Sequence, residues 1–177
     1  VTVPRPGTTA VLALLPEADP LLELAAAVDA RVVRPGVPAH AALLYPWLPA
    51  DQVGERELAR LRAALPVGRV PIRLAEVERA GGFVGIPLPE LGAMATAVRA
   101  AFPEQVPYGG RFGQDPPVHV TVALDVDPGV SGAAGVAADI ADRVAGRLPI
   151  SAEVAALQVV TLGSSGWRRV AEVPLAD

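Results

Sequence analysis

His40 and His119 are the only imidazoles in this 177-residue chain. Each stands two residues after a proline, in "PAHAALLYPW" and "PPVHVTVALDV", at the head of a run that reads as a β-strand. Imidazole has a reference pKa of about 6.5, so near neutral pH one ring can accept a proton while another donates one. Two such rings brought together form an acid–base pair with no need of a metal. In a strand, residues i and i+2 share a face, so His119 shares its face with Thr121 and Ala123. Val118, Val120, Val122 and Leu124 make the opposite face, which wants a core. In the first run His40 and Ala42 share a face, and Ala41, Leu43 and Tyr45 take the core side. The second half thus carries P-x-H-x-T and the first half P-x-H-x-A.

The rest of the composition narrows the chemistry. With no Cys, disulfides, thiolate zinc sites and cysteine nucleophiles are excluded. All 15 basic residues are Arg, which excludes a P-loop lysine, a Schiff-base lysine and a nucleotidyl-lysine. Asp115 and His119 make a poor metal set, so no metal and no other cofactor are expected. A formal charge of −4 disfavours wrapping a long nucleic-acid duplex. A small anion is still a suitable partner if arginines gather in a cleft. No apolar run approaches the roughly 20 residues that span a bilayer. "VTVPRPG" lacks a signal peptide's basic start and apolar core. A soluble, cytoplasmic monomer is the expectation.

The elements that must position the histidines follow from periodicity and turn chemistry. "TTAVLALLP" reads as a buried strand. Asp19 is placed to cap a helix that has Pro20 at its first position. Asp51 is placed to cap a second helix, with Leu58, Leu61 and Leu65 on one side. "VPIRLAEVERA" and "FVGIPL" read as strands joined in a hairpin at Gly81-Gly82. Leu91, Met94, Val98 and Phe102 mark a third helix; Val136, Ile140, Val144 and Leu148 mark a fourth, after a Ser131 cap. "ISAEVAALQVVTL" and "GWRRVAEVPL" close the chain around "GSSG", a hairpin turn without nucleophile-elbow spacing. Helix, strand, hairpin and strand follow both histidines in the same order, at an offset of about 79 residues. That length suits two related lobes better than a solenoid unit. The whole chain, 1–177, therefore reads as one α+β domain of two pseudo-symmetric lobes, with mainly antiparallel sheets, flanking helices and a central cleft.

The doubled P-x-H-x-[T/A] pattern resembles the 2H phosphoesterase superfamily, specifically the bacterial 2′-5′ RNA ligase family, whose members carry one H-x-T/S motif per lobe. The resemblance covers nearly the whole chain, through "PAHAALLYPW" and "VPYGGRFGQDPPVHVTVAL". It implies a metal-independent phosphodiesterase, or a reversible ligase, acting on 2′,3′-cyclic or 2′-5′-linked nucleotides or RNA ends. His40 and His119 would be catalytic and Thr121 would donate to phosphate. Ala42 departs from the family pattern, where a hydroxyl is expected. In the loop before His119, Tyr108 is a candidate to stack on a base and Arg111 to contact phosphate. Tyr45 and Trp47 are weaker stacking candidates, Tyr45 because it falls on the core side. Arg168 and Arg169 alternate faces, so at most one points at a cleft. Two other readings fit the same residues. One is a cleft turned to a different small-molecule reaction in a biosynthetic pathway, and the other is a module that binds a nucleotide-like ligand without turnover.

Overall fold

The computed structural model describes residues 7–124, 132–163 and 166–176. In chain order the elements are β1 Thr9–Leu14, α1 Asp19–Val28, β2 His40–Leu44, α2 Glu55–Ala63, β3 Val70–Leu74, β4 Glu78–Ala80 and β5 Phe83–Pro87. These are followed by α3 Gly92–Ala101, β6 His119–Ala123, α4 Ala133–Ala145, β7 Ile150–Val154, β8 Ala156–Gly163 and β9 Gly166–Pro174. The expected α+β arrangement of antiparallel sheets with flanking helices is present. Seven strands form one sheet in the order β4-β5-β6-β2-β1-β8-β9, and β3 pairs with β7 in a second.

Three sequence expectations change. "VPIRLAEVERA" and "ISAEVAALQVVTL" each break into two strands, because the first part of each pairs with the other's while β4 and β8 join the large sheet. Buried Ile72, Leu74 and Val154 hold the small sheet to the core. Asp51 lies in a 3-10 turn, and Gly54, in extended backbone, precedes α2 as its N-cap. Asp19 is the first residue of α1 and makes no cap; its carboxylate accepts from the Ala39 N–H at 2.8 Å, next to His40. Ser131 lies outside the described residues, as do Ser164 and Ser165 of the "GSSG" turn. The Gly81-Gly82 hairpin forms as expected, with Ala80 paired to Phe83.

The histidine strands repeat each other's pairings. On β2, residues His40, Ala41, Ala42 and Leu44 pair with Leu14, Ala13, Leu12 and Val11 of β1. On β6, residues His119, Val120, Thr121 and Ala123 pair with Pro87, Ile86, Gly85 and Val84 of β5. Each strand skips one residue, Leu43 or Val122, at a β-bulge in the same place. Upstream, Leu15 donates to the Ala39 carbonyl at 3.0 Å and Leu88 to the Val118 carbonyl at 2.9 Å. Both leucines open a Leu-Pro-Glu turn that runs into a helix, α1 or α3. The backbone just before each histidine is therefore pinned in the same way. Ala41, Leu43 and Val120 are fully buried on the helix side, where α3 packs on β2 and α1 on β6, while Val122, also buried, contributes to the cavity wall. The opposite face of these strands is left for a cleft.

Candidate active site

β2 and β6 lie side by side, antiparallel, paired at Ala41 and Val120. An antiparallel pair centred there sets His40 across from Thr121, and Ala42 across from His119. The histidines take the diagonal, where strand geometry gives roughly 7–8 Å between neighbours. All four residues line one cavity of about 660 Å³. This placement says what the H-x-T spacing does: the hydroxyl of one motif stands beside the imidazole of the other. Ala42 therefore removes a hydroxyl from the His119 side, and Thr121 supplies one on the His40 side.

Each imidazole is held by its own motif. His40 Nδ1–H donates to the Pro38 carbonyl at 2.8 Å, and the His119 ring is likewise bonded to the Pro117 backbone. The proline two residues upstream thus fixes the tautomer and leaves Nε2 of His40 available to a ligand. Burial pushes both rings below the usual histidine range. Their surroundings then differ. Arg34 disfavours the charged form of His40 further, whereas Glu78 favours the charged form of His119.

Each ring also meets an aromatic edge. Trp167 lies 5.1 Å from His40 and Phe83 lies 5.1 Å from His119, both T-shaped. Phe83 reaches its histidine by lying along β5 over Gly85, where an added Cβ would come within 2.7 Å of the phenyl ring. Sequence reasoning missed both aromatics. The available signal was that each directly follows the glycine that marks its hairpin, Gly82 or Gly166.

Tyr108 and Arg111 line the cavity, as the loop position suggested, and so does Phe112, which is 55% exposed. The loop is held by a bond from the Tyr108 N–H to the Tyr45 carbonyl at 2.7 Å. Tyr108 adopts φ 50°, a left-handed conformation that costs a non-glycine residue energy and is concentrated at functional sites. Tyr45 joins this wall and is not in the core; its ring lies 6.2 Å from that of Tyr108. The bulge at Leu43 is the reason, since one extra residue reverses the inside–outside alternation beyond it. The bulge at Val122 turns Leu124 from the expected core face into the cavity in the same way. Trp47 is 2% exposed and packs against Phe102, so it is core and not a stacking platform. Neither Arg168 nor Arg169 lines the cavity; Arg169 pairs with Glu172 at 3.2 Å.

Asp115 is engaged elsewhere. It pairs with Arg99 at 2.5 Å and accepts from Thr96 at 2.8 Å. Arg99, 8% exposed on α3, also donates to the Leu43 carbonyl at 2.9 Å and the Pro116 carbonyl at 2.8 Å. It therefore ties the bulge of β2 to the loop that enters β6. Among the described residues no group of three or more His, Asp or Glu is placed to hold a metal. The described lining residues include Arg34 and Arg111 but no carboxylate. Neither arginine forms an ion pair among the described residues. In a protein of net charge −4, the cleft is therefore locally suited to an anion.

An antiparallel α+β fold that brings one imidazole from each H-x-[T/A] strand into a shared cleft is the architecture of a two-histidine protein. The profile of the 2′-5′ RNA ligase superfamily, the 2H phosphoesterases, matches residues 13–166, and the chain belongs to that superfamily. Its fold is similar to that of Usb1 from Kluyveromyces marxianus, with a TM-score of 0.54 at 17% identity, covering 97% of this chain and 100% of that one. It is also similar to E. coli LigT complexed with 3′-AMP, with a TM-score of 0.52 at 15% identity, covering 98% of this chain and 100% of that one. LigT complexed with ATP gives 0.51 at 13% identity, covering 97% and 99%. No curated protein sequence matches this chain. No helix among the described residues is long and apolar enough to cross a membrane.

Proposed function

We propose that this protein is a phosphodiesterase of the two-histidine type, acting on a 2′,3′-cyclic or 2′-5′-linked nucleotide or an RNA end. The observation that carries the reading is the His40–Thr121 and Ala42–His119 square in one cleft whose lining, among the described residues, includes arginine and no carboxylate. We further read the matched bulges and turns as two copies of one duplicated unit within a single domain.

The roles follow from local chemistry. His40, neutral and beside Arg34, takes a proton from the attacking water. His119, with Glu78 favouring its charged form, gives a proton to the departing ribose oxygen. The Thr121 hydroxyl donates to a non-bridging phosphate oxygen, and Arg111 adds positive charge at the mouth. Tyr108, with Tyr45, receives the base. That LigT is complexed with 3′-AMP in a similar fold supports a nucleotide ligand.

Two predictions test this reading. Hydrolysis of a 2′,3′-cyclic nucleotide persists in EDTA, because histidine supplies both proton transfers; activity lost to chelator and restored by a divalent ion would instead mean a metal mechanism. Thr121→Ala lowers turnover about 10- to 150-fold, the worth of one hydrogen bond to a charged group. Ala42→Thr raises it, by restoring a hydroxyl across from His119 next to Leu12, its partner on β1. Equal background rates in wild type, both variants and His119→Ala would end the phosphate assignment.

A further inference from the structure

Antiparallel pairing gives the cleft two chemically different ends. The residues that precede His40 lie with those that follow Thr121, and the residues after Ala42 lie with those before His119. A bond from the Leu124 N–H to the Val32 carbonyl at 2.8 Å fastens the first end, and the Tyr108–Tyr45 bond fastens the second. The His119 end is lined by Tyr45, Tyr108, Phe112 and Arg111, a set that suits a flat aromatic group beside negative charge. The His40 end is lined by Leu22, Val32, Val33, Val37 and Leu124, with the Trp167 ring against His40 and the exposed Arg34 at its rim. None of those five aliphatic side chains can donate or accept a hydrogen bond. A second nucleobase placed there would lose the hydrogen bonds that water gave it, whereas an alkyl group would lose nothing.

We propose that the cleft also takes a mixed phosphodiester, with a nucleoside on the His119 side and an aliphatic alcohol of several carbons on the His40 side. This rests on the phosphodiesterase reading above. Water adds to phosphorus, giving one proton to His40, and the P–O bond to the nucleoside breaks. The nucleoside oxygen takes the proton of His119, so the products are a nucleoside with a free hydroxyl and an alkyl phosphate. No oxidant or further reactant is needed.

Because the alkyl phosphate is a product, its binding can be measured without turnover. Methyl, butyl and hexyl phosphate are titrated into the full chain by isothermal calorimetry. The dissociation constant should fall about fourfold for each added methylene that enters the aliphatic end, the value of burying one CH₂. Val33→Asp should flatten the series, and Val67→Asp, at a remote site 77% exposed, should leave it steep. A flat wild-type series, or no binding of hexyl phosphate, overturns the inference whether or not Val33→Asp folds. Hydrolysis of a 2′,3′-cyclic nucleotide is assayed alongside. Turnover with a flat series removes only the aliphatic subsite, while a steep series without turnover removes the phosphodiesterase reading and keeps the site.

Discussion

Alanine in place of His119 is expected to lower hydrolysis of a 2′,3′-cyclic nucleotide by about 10²- to 10⁴-fold, and alanine at His40 by a similar factor, the range that general acid–base catalysis supplies. The pH profile makes the prediction specific. Both rings titrate below the usual histidine range because burial disfavours the imidazolium. Productive enzyme has one ring neutral and the other protonated, so kcat/KM peaks between the two pKa values. The optimum therefore lies below about pH 6.5. His40, carrying the extra effect of Arg34, sets the acid limb, and His119 sets the alkaline limb. His40→Ala should thus leave a residual rate that no longer falls toward acid, and His119→Ala one that no longer falls toward alkali. Wild-type kcat/KM that peaks near pH 8, or variants that keep both limbs, would remove these assignments.

The parts of this arrangement legible in the sequence are those that depend on short-range pattern. Proline two residues before each histidine was visible, and so was strand alternation through Val120 and Val122. The helical spacing of Leu91, Met94 and Val98 was visible too, and all three are buried as that spacing implies. What the pattern did not carry is register. A bulge at Leu43 leaves no mark in composition, yet it decides that Tyr45 faces the cleft while Leu44 is buried. The join of β2 to β6, which sets Thr121 beside His40, is a long-range choice among many possible strand pairings. The break between β3 and β4 is of the same kind, because only the presence of β7 as a partner explains it. One local signal was readable and not used. Leu15-Pro16-Glu17 and Leu88-Pro89-Glu90 repeat the same turn in both halves, and they hold Ala39 and Val118 directly before the histidines.

Arg99 is where the fold and the site depend on each other most. A bulge removes one residue from the strand ladder, and the Leu43 carbonyl there takes its hydrogen bond from the Arg99 side chain. The same guanidinium bonds Pro116 and Asp115, just ahead of His119. Arg99→Met keeps much of the apolar stem but leaves two carbonyls without this donor, and a carboxylate without its cation. Each buried group left unsatisfied costs about 1–3 kcal/mol, while Asp115 is half-exposed and recovers water. A loss of about 2–6 kcal/mol in urea unfolding is therefore expected. Arg99→Lys should recover part of it, since an ammonium keeps the charge but cannot span three acceptors with a fixed fork. Turnover measured well below the unfolding temperature should fall more steeply than the folded fraction does. The reason is that β2 and β6 are joined at one register position, and Arg99 is a second tie between their ends. A misplacement of about 1 Å between reacting groups can cost 10²-fold in rate. If Arg99→Met unfolds at the wild-type urea concentration and turns over at the wild-type rate, the clamp holds neither the fold nor the site.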